Sequence, residues 1–243
     1  MTVQVVILAA GMGTRLARPH PKPMTKLVDG RTIMQQQVDN LRAVFGKKLR
    51  LTIVVGYKME QVMEHVPDAS FVYNENFDQT NTSKSLLKAL ANSTKGGVLW
   101  LNGDVVFDPA ILELLRPHMA AGKSFITVDV SSVSDEEVKY TVGEDGYIKE
   151  LSKRVPQNIA LGEAVGINYV AKQDKKALIK RLKTVDEQDY FEGGVELTVK
   201  NDDVQWAPVD ISAFYAVEID VADDLIAANA QIIEAKIISR ISK

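Results

Sequence analysis

Apolar positions switch between two periods along this chain. Val3 to Leu8 is a β-branched run, read as a buried first strand and broken by Gly11 and Gly13. From Thr32 to Phe45 the period lengthens: Met34, Val38, Leu41 and Phe45 fall on one helical face, and Gly46 stops the helix. Leu49 to Val55 is a second strand, Met59 to His65 a short helix and Ser70 to Tyr73 a short strand. Thr82 to Asn92 is a helix with Leu86, Leu87 and Leu90 inward and Thr82 or Ser83 near its cap. Val98 to Asn102 is a strand, and Asp108-Pro109 opens a helix.

The second half reads differently. Phe125 to Val130 is a strand, and the strands Tyr140–Val142 and Tyr147–Leu151 flank Glu144-Asp145-Gly146, a hairpin signal. Val165 to Val170 is a strand, followed by helices over Lys175–Val185 and Phe191–Lys200. Strands over Val204–Val209 and Phe214–Ile219 precede a long helix from about Val221, amphipathic through Leu225, Ala228, Ile232 and Ala235. Strands alternating with helices predict an α/β fold, a Rossmann-like mixed, mostly parallel sheet flanked by helices. The chain reads as a single domain over 1–243, with a nucleotide-binding half at 1–130 and a smaller, hairpin-rich half at 131–243.

Composition narrows the class. Hydrophobic residues make up 46% and charged residues 25%, the range of a folded soluble chain. A net charge of −3 leaves no basic excess for a phosphate backbone, so a dedicated nucleic-acid partner is excluded. Cysteine is absent, which removes disulfides, thiolate metal sites and cysteine nucleophiles. Val5 to Ala10 is too short to span a bilayer, and no basic residue precedes Arg15. The expectation is a cytoplasmic protein without membrane insertion. A homodimer stays open.

The strongest local signal is Leu8-Ala9-Ala10-Gly11-Met12-Gly13-Thr14-Arg15-Leu16, directly after a strand. Two glycines let the backbone turn sharply, and successive N–H groups in such a turn cradle an anion. Arg15 adds a planar fork for phosphate oxygens. The loop lacks Gly-Lys-Ser/Thr, so it is no Walker loop, and Leu16 stands where a dinucleotide fingerprint wants its third glycine. Lys22 then sits between Pro21 and Pro23, which limits where its ammonium can go.

These residues, with Gly30 and Ile33, resemble the N-terminal signature of the nucleotidyltransferases of the nucleotide-sugar pyrophosphorylase superfamily. Tyr73-Asn74, Thr80-Asn81 and Ser83-x-Ser85-Leu86 are similar to the base-framing segment of its small phosphocholine cytidylyltransferases. Leu101-Asn102-Gly103-Asp104 and Glu218-Ile219-Asp220 are similar to their two metal-aspartate motifs. The resemblance implies a GT-A-like fold. It places Arg15 and Lys22 on the phosphates as catalytic residues, Leu8, Ala9, Ala10, Gly11, Gly13, Asn81 and Ser83 on the nucleotide, and Mg²⁺ on Asp104 and Asp220. The chain departs from the family at Val221-Ala222, often Thr-Pro, and near Ala216, often tryptophan.

The residues by themselves leave room. Asn102-Gly103-Asp104 also reads as a turn and Asp220 as an N-cap. Two carboxylates at one sheet edge repel unless a cation joins them, and Mg²⁺, with its taste for hard oxygens and phosphates, fits. An acceptor cation would want aromatic faces and a carboxylate, for which Tyr140, Tyr169, Tyr190, Phe191 and Glu192 are candidates. The expected reaction moves CMP from CTP to phosphocholine first, 2-aminoethylphosphonate close behind. The alternatives are a sugar- or polyol-phosphate nucleotidyltransferase, such as one acting on inositol 1-phosphate, a non-catalytic nucleotide-binding regulator, and a nicotinamide oxidoreductase.

Overall fold

A computed structural model describes residues 2–13, 16 and 18–241, with the backbone alone for 238–241. The elements follow the sequence periods closely. In chain order they are β1 (Val3–Ala9), α1 (Ile33–Phe45), β2 (Leu49–Val55), α2 (Met59–His65), β3 (Ser70–Tyr73), α3 (Thr82–Asn92), β4 (Val98–Asn102), β5 (Val105–Phe107) and α4 (Ala110–Ala120). Then come β6 (Phe125–Asp129), β7 (Lys139–Val142), β8 (Ile148–Ser152), β9 (Glu163–Val170), α5 (Lys175–Leu182), α6 (Phe191–Asp202), β10 (Ala207–Asp210), β11 (Ala216–Glu218) and α7 (Ala222–Ile241).

The main sheet runs β10-β6-β9-β4-β1-β2-β3, with the β7–β8 hairpin attached to β9. Strands β3, β2, β1 and β4 are parallel neighbours, as are β6 and β10. Only β9 runs against its neighbours on this path, pairing antiparallel with β4 and β6. A mixed, mostly parallel sheet is therefore what the chain forms.

β1 lies inside the sheet and is buried on both faces, as central parallel strands are. Val5, Ile7 and Ala9 face α1, α2 and α4 through Met34, Val38, Leu41, Val62 and Ile111. Val6, Leu8 and Ala10 face the other layer, through Leu86, Leu90, Leu178 and Leu182. On that second face Trp100 meets Phe191 edge-on at 5.4 Å and Trp206 at 6.1 Å. Such pairs contribute about 0.5–1.5 kcal/mol each beyond burial. They seat the start of α6 against β4.

Two local corrections bear on the site. Asn81, rather than Thr82 or Ser83, caps α3, its side chain accepting from the Thr82 N–H at 2.8 Å. The strand expected over Phe214–Ile219 shortens to β11, because the partner it pairs with among the described residues is the three-residue β5, antiparallel, with Val105 opposite Glu218. That small second sheet ties the two halves of the chain beside the main sheet's carboxyl edge.

Candidate active site

The turn after β1 opens the site. Gly13 has φ +59, and a Cβ there would stand 2.8 Å from the Lys22 Cβ, so both its conformation and its space require glycine. Gly103 donates its N–H to the Leu8 carbonyl at 2.9 Å, and a Cβ there would lie 2.6 Å from that oxygen. The Asn102-Gly103-Asp104 turn is thereby pressed against the end of β1. The β5–β11 pairing then brings the far segment in: the Ile219 N–H donates to the Asp104 carbonyl at 3.0 Å.

Asp104 and Asp220 converge on one cation. Lys22 Nζ donates to Asp104 Oδ2 at 2.7 Å and to Asp220 Oδ1 at 2.5 Å. Lys22 is 11% exposed in its side chain, against 21% and 31% for the two aspartates. Burial works to lower the Lys22 pKa, but the charges and hydrogen bonds of Asp104 and Asp220 outweigh it and hold the ammonium above its ordinary value. Asp224, in the first turn of α7, reaches back: its Oδ2 accepts from the N–H groups of Asp220 at 2.7 Å and Val221 at 2.8 Å, which holds the backbone that carries the Asp220 carboxylate.

A cleft of about 310 Å³ runs across this centre. It is lined by Leu8, Ala9, Gly11 and Gly13 of the glycine turn and the strand before it, by Asn81 and Thr82, by Lys22, Asp104 and Asp220, and by Glu137, Lys153, Tyr190, Phe191 and Glu192. The segment of Asn81 and Thr82 is hydrogen-bonded directly to the segment that carries Tyr190, Phe191 and Glu192. Asn81 N–H donates to the Glu187 carbonyl at 2.9 Å, and Phe191 N–H to Thr82 Oγ1 at 3.1 Å.

The cleft is rich in carboxylates. Burial, then the charges of Asp104, Glu137, Glu192 and Asp220, push Glu218 well above the usual carboxylate range. Burial pushes Glu192 up to about 7 and raises Glu137 as well, with the Lys153 charge opposing both. Asp104 Oδ1 is buried and has no hydrogen-bond partner among the described residues. An orphaned hard oxygen beside a second carboxylate fits a divalent ion such as Mg²⁺. Mg²⁺ takes one or two protein carboxylates and fills its octahedron with phosphate and water; among the described residues no three His, Cys, Asp or Glu side chains group as a metal site.

Most of the expected site residues meet here; four do not. Tyr169 is 7% exposed and stacks on Phe125 at 5.5 Å. It lies opposite Leu99, toward the far end of β4, because β9 runs antiparallel. Tyr140 is buried in the second core layer with Leu151 and Trp206. These two tyrosines are corrected from acceptor contacts to core residues. Ala10 packs in that layer too, its carbonyl accepting from the Tyr57 N–H at 3.0 Å. Ser83 is fully buried, its N–H on the Asp189 carbonyl. Arg15 lies outside the described residues. Thr82, Asn102, Glu137 and Lys153 line the cleft unanticipated. The hairpin reading around Glu144-Asp145-Gly146 located β7, and the acidic run just before it was the available signal for Glu137.

Fold and site together set a glycine turn at the carboxyl edge of a parallel sheet, with a lysine and paired aspartates beside it. The MobA-like NTP transferase domain family matches residues 5–164, and the chain belongs to that family. Among curated relatives, the bifunctional protein GlmU of Chromobacterium violaceum is 28% identical over 166 residues, covering 67% of this chain and 36% of that protein. The CMP-5′-(3-aminopropyl)phosphonate synthase of Streptomyces rubellomurinus is 36% identical over 122 residues, covering 46% of this chain and 19% of that protein. The chain thus spans well under half the length of these relatives. The inositol-1-phosphate CTP transferase from T. maritima superposes with TM-score 0.76 at 18% identity, over 95% of this chain and 96% of that one. The CTP:phosphocholine cytidylyltransferase from Streptococcus pneumoniae gives TM-score 0.70 at 17% identity, over 95% and 99%. At these identities the likeness is one of fold. No described helix is long and apolar enough to cross a membrane.

Proposed function

We propose that the chain is a cytidylyltransferase moving CMP from CTP to a short phosphate monoester or phosphonate that carries an ammonium group. The observation that carries this reading is the junction of Lys22, Asp104 and Asp220 in a cleft lined also by the glycine turn and by Glu137, Glu192 and Glu218. The relative named for CMP-aminopropylphosphonate synthesis supports the choice of nucleotide and of an aminoalkyl acceptor.

An acceptor phosphate or phosphonate oxygen attacks the α-phosphorus of CTP. A new P–O bond forms, the bond to the bridging oxygen breaks, and pyrophosphate leaves with the electron pair. The attacking group is already ionised near neutrality, since a second phosphate pKa is about 6, so no protein base is needed. The backbone of Gly11 and Gly13 supplies close approach for the triphosphate, with Leu8 and Ala9 against the nucleoside and Asn81 and Thr82 at the nucleotide end. Lys22, held cationic, offsets the charge that gathers at the α-phosphorus. Asp104 and Asp220 would hold Mg²⁺. When bound, that ion neutralises phosphate oxygens and helps align attacker and leaving group. Glu192, Glu137 and Tyr190 face the acceptor's cationic end. Arg15 keeps its proposed role on the triphosphate.

The test is pyrophosphate release, with each of the four nucleoside triphosphates against phosphocholine, 2-aminoethylphosphonate, ethanolamine phosphate and inositol 1-phosphate, with and without Mg²⁺. Release with CTP and an ammonium acceptor is expected. Release only with a sugar or polyol phosphate, or nucleotide binding without release, overturns the reading.

A further inference from the structure

The acceptor end offers a cation more carboxylate than aromatic surface. Tyr190, 44% exposed, is the one exposed aromatic residue lining the cleft among the described residues. Phe191 is 1% exposed, its ring spent edge-on against Trp100, and Tyr140 and Tyr169 are in the cores. A trimethylammonium is held by several aromatic faces around it, and one ring supplies one wall.

The carboxylates ask for something else. Glu192 Oε2 is buried in the cleft wall and has no hydrogen-bond partner among the described residues. A desolvated carboxylate oxygen is satisfied by an N–H or O–H, and a quaternary ammonium has none to give. A primary ammonium already sits at this place. Lys153 Nζ lies 5.4 Å from the Tyr190 ring centroid, and its charge acts on both Glu137 and Glu192 without hydrogen-bonding the orphaned oxygen.

We infer that the acceptor subsite selects an ammonium that retains at least one N–H, donated to Glu192 Oε2, and rejects the fully methylated group. This rests on the reading of the cleft as a transfer site for an ammonium-bearing acceptor. It reverses the order expected from sequence, where phosphocholine came first.

The experiment holds charge constant and varies the number of N–H groups. Ethanolamine phosphate, its N-methyl and N,N-dimethyl derivatives and phosphocholine are compared by kcat/KM for pyrophosphate release with CTP and Mg²⁺. The steep step is expected at the last methylation, where the final donor is lost. Its size is roughly tenfold to a hundredfold, the worth of one hydrogen bond to a charged group. In Glu192→Ala the dimethyl-to-trimethyl ratio falls toward one. Because both acceptors are assayed on the same preparation, that ratio does not depend on how much of the variant folds. Phosphocholine matching the dimethyl compound, or a ratio unmoved in Glu192→Ala, overturns the inference. Saturation-transfer NMR with ethanolamine and choline as probes separates this failure from failure of the transfer reading. Selective ethanolamine contact without turnover of any acceptor keeps the subsite and sinks the reaction. Turnover with choline preferred does the opposite.

Discussion

Replacing Lys22 with methionine removes the group that joins the two halves of the site while keeping most of its volume. The ammonium makes charge-assisted hydrogen bonds at 2.7 Å to Asp104 and 2.5 Å to Asp220. A hydrogen bond to a charged group contributes about 1.5–3 kcal/mol. With the aspartates 21% and 31% exposed, water screens part of that, so the pair sits at the low end, at about 2–3 kcal/mol together. For a chain of this size that is a melting-point loss of about 5–10 °C in metal-free buffer. The sign reverses when a divalent ion is added. Lys22 competes with the ion for Asp104 and Asp220, so Mg²⁺ should raise the melting temperature of Lys22→Met by more than that of the wild type. Thermal unfolding in EDTA and in a Mg²⁺ titration measures both effects, and nucleotidyl transfer falls by orders of magnitude throughout. A variant that melts with the wild type in EDTA, or gains no more from Mg²⁺, refutes the reasoning that these three side chains share one electrostatic centre.

Other perturbations test other parts of the geometry. Gly13→Ala places a methyl 2.8 Å from the Lys22 Cβ at a φ of +59, and it should lower both stability, by about 1 kcal/mol or more, and turnover, read by denaturant unfolding and pyrophosphate release. Asp224→Ala removes the acceptor of the Asp220 and Val221 N–H groups, so a loss of about 1 kcal/mol is expected together with a higher Mg²⁺ requirement; unchanged metal dependence would show that these bonds do not position Asp220. Glu192 has its pKa raised by burial to about 7, so the folded chain holds a proton there that the unfolded chain, near 4.5, releases. Its contribution to stability therefore falls as pH rises from about 4.5 through 7. Glu192→Gln should flatten that decline, gaining melting temperature over wild type at pH 8 and little at pH 5, and an equal difference at both pH values would contradict the assignment.

Much of this was legible in the sequence, for identifiable reasons. β1 announced itself because a doubly buried parallel strand must be apolar throughout, and Val3 to Leu8 is nearly so. The glycine turn, Lys22 and the two aspartates were singled out by their resemblance to the nucleotidyltransferase motifs, since the residues taken alone also read as a plain turn and a cap. What was hidden depends on pairing. β5 is three residues long and lies just past the Gly103 turn, too short to register as a period, yet its pairing with β11 brings the segments of Asp104 and Asp220 together. Tyr140 and Tyr169 were misjudged because an aromatic residue in a strand carries no mark of which end of the sheet it occupies. The antiparallel course of β9 sends Tyr169 away from the cleft. The reach of Asp224 back to the Asp220 N–H was equally silent, since Asp220, Asp223 and Asp224 all precede or open the same helix.

The most direct test of the central claim is electron paramagnetic resonance with Mn²⁺ in place of Mg²⁺, titrated into the wild type, Asp104→Asn and Asp220→Asn, each with and without CTP. If carboxylates from the two halves of the chain hold one ion at the triphosphate, CTP tightens Mn²⁺ binding in the wild type, and either single substitution abolishes most of that gain. Retention of wild-type, CTP-dependent affinity in either variant would contradict the account.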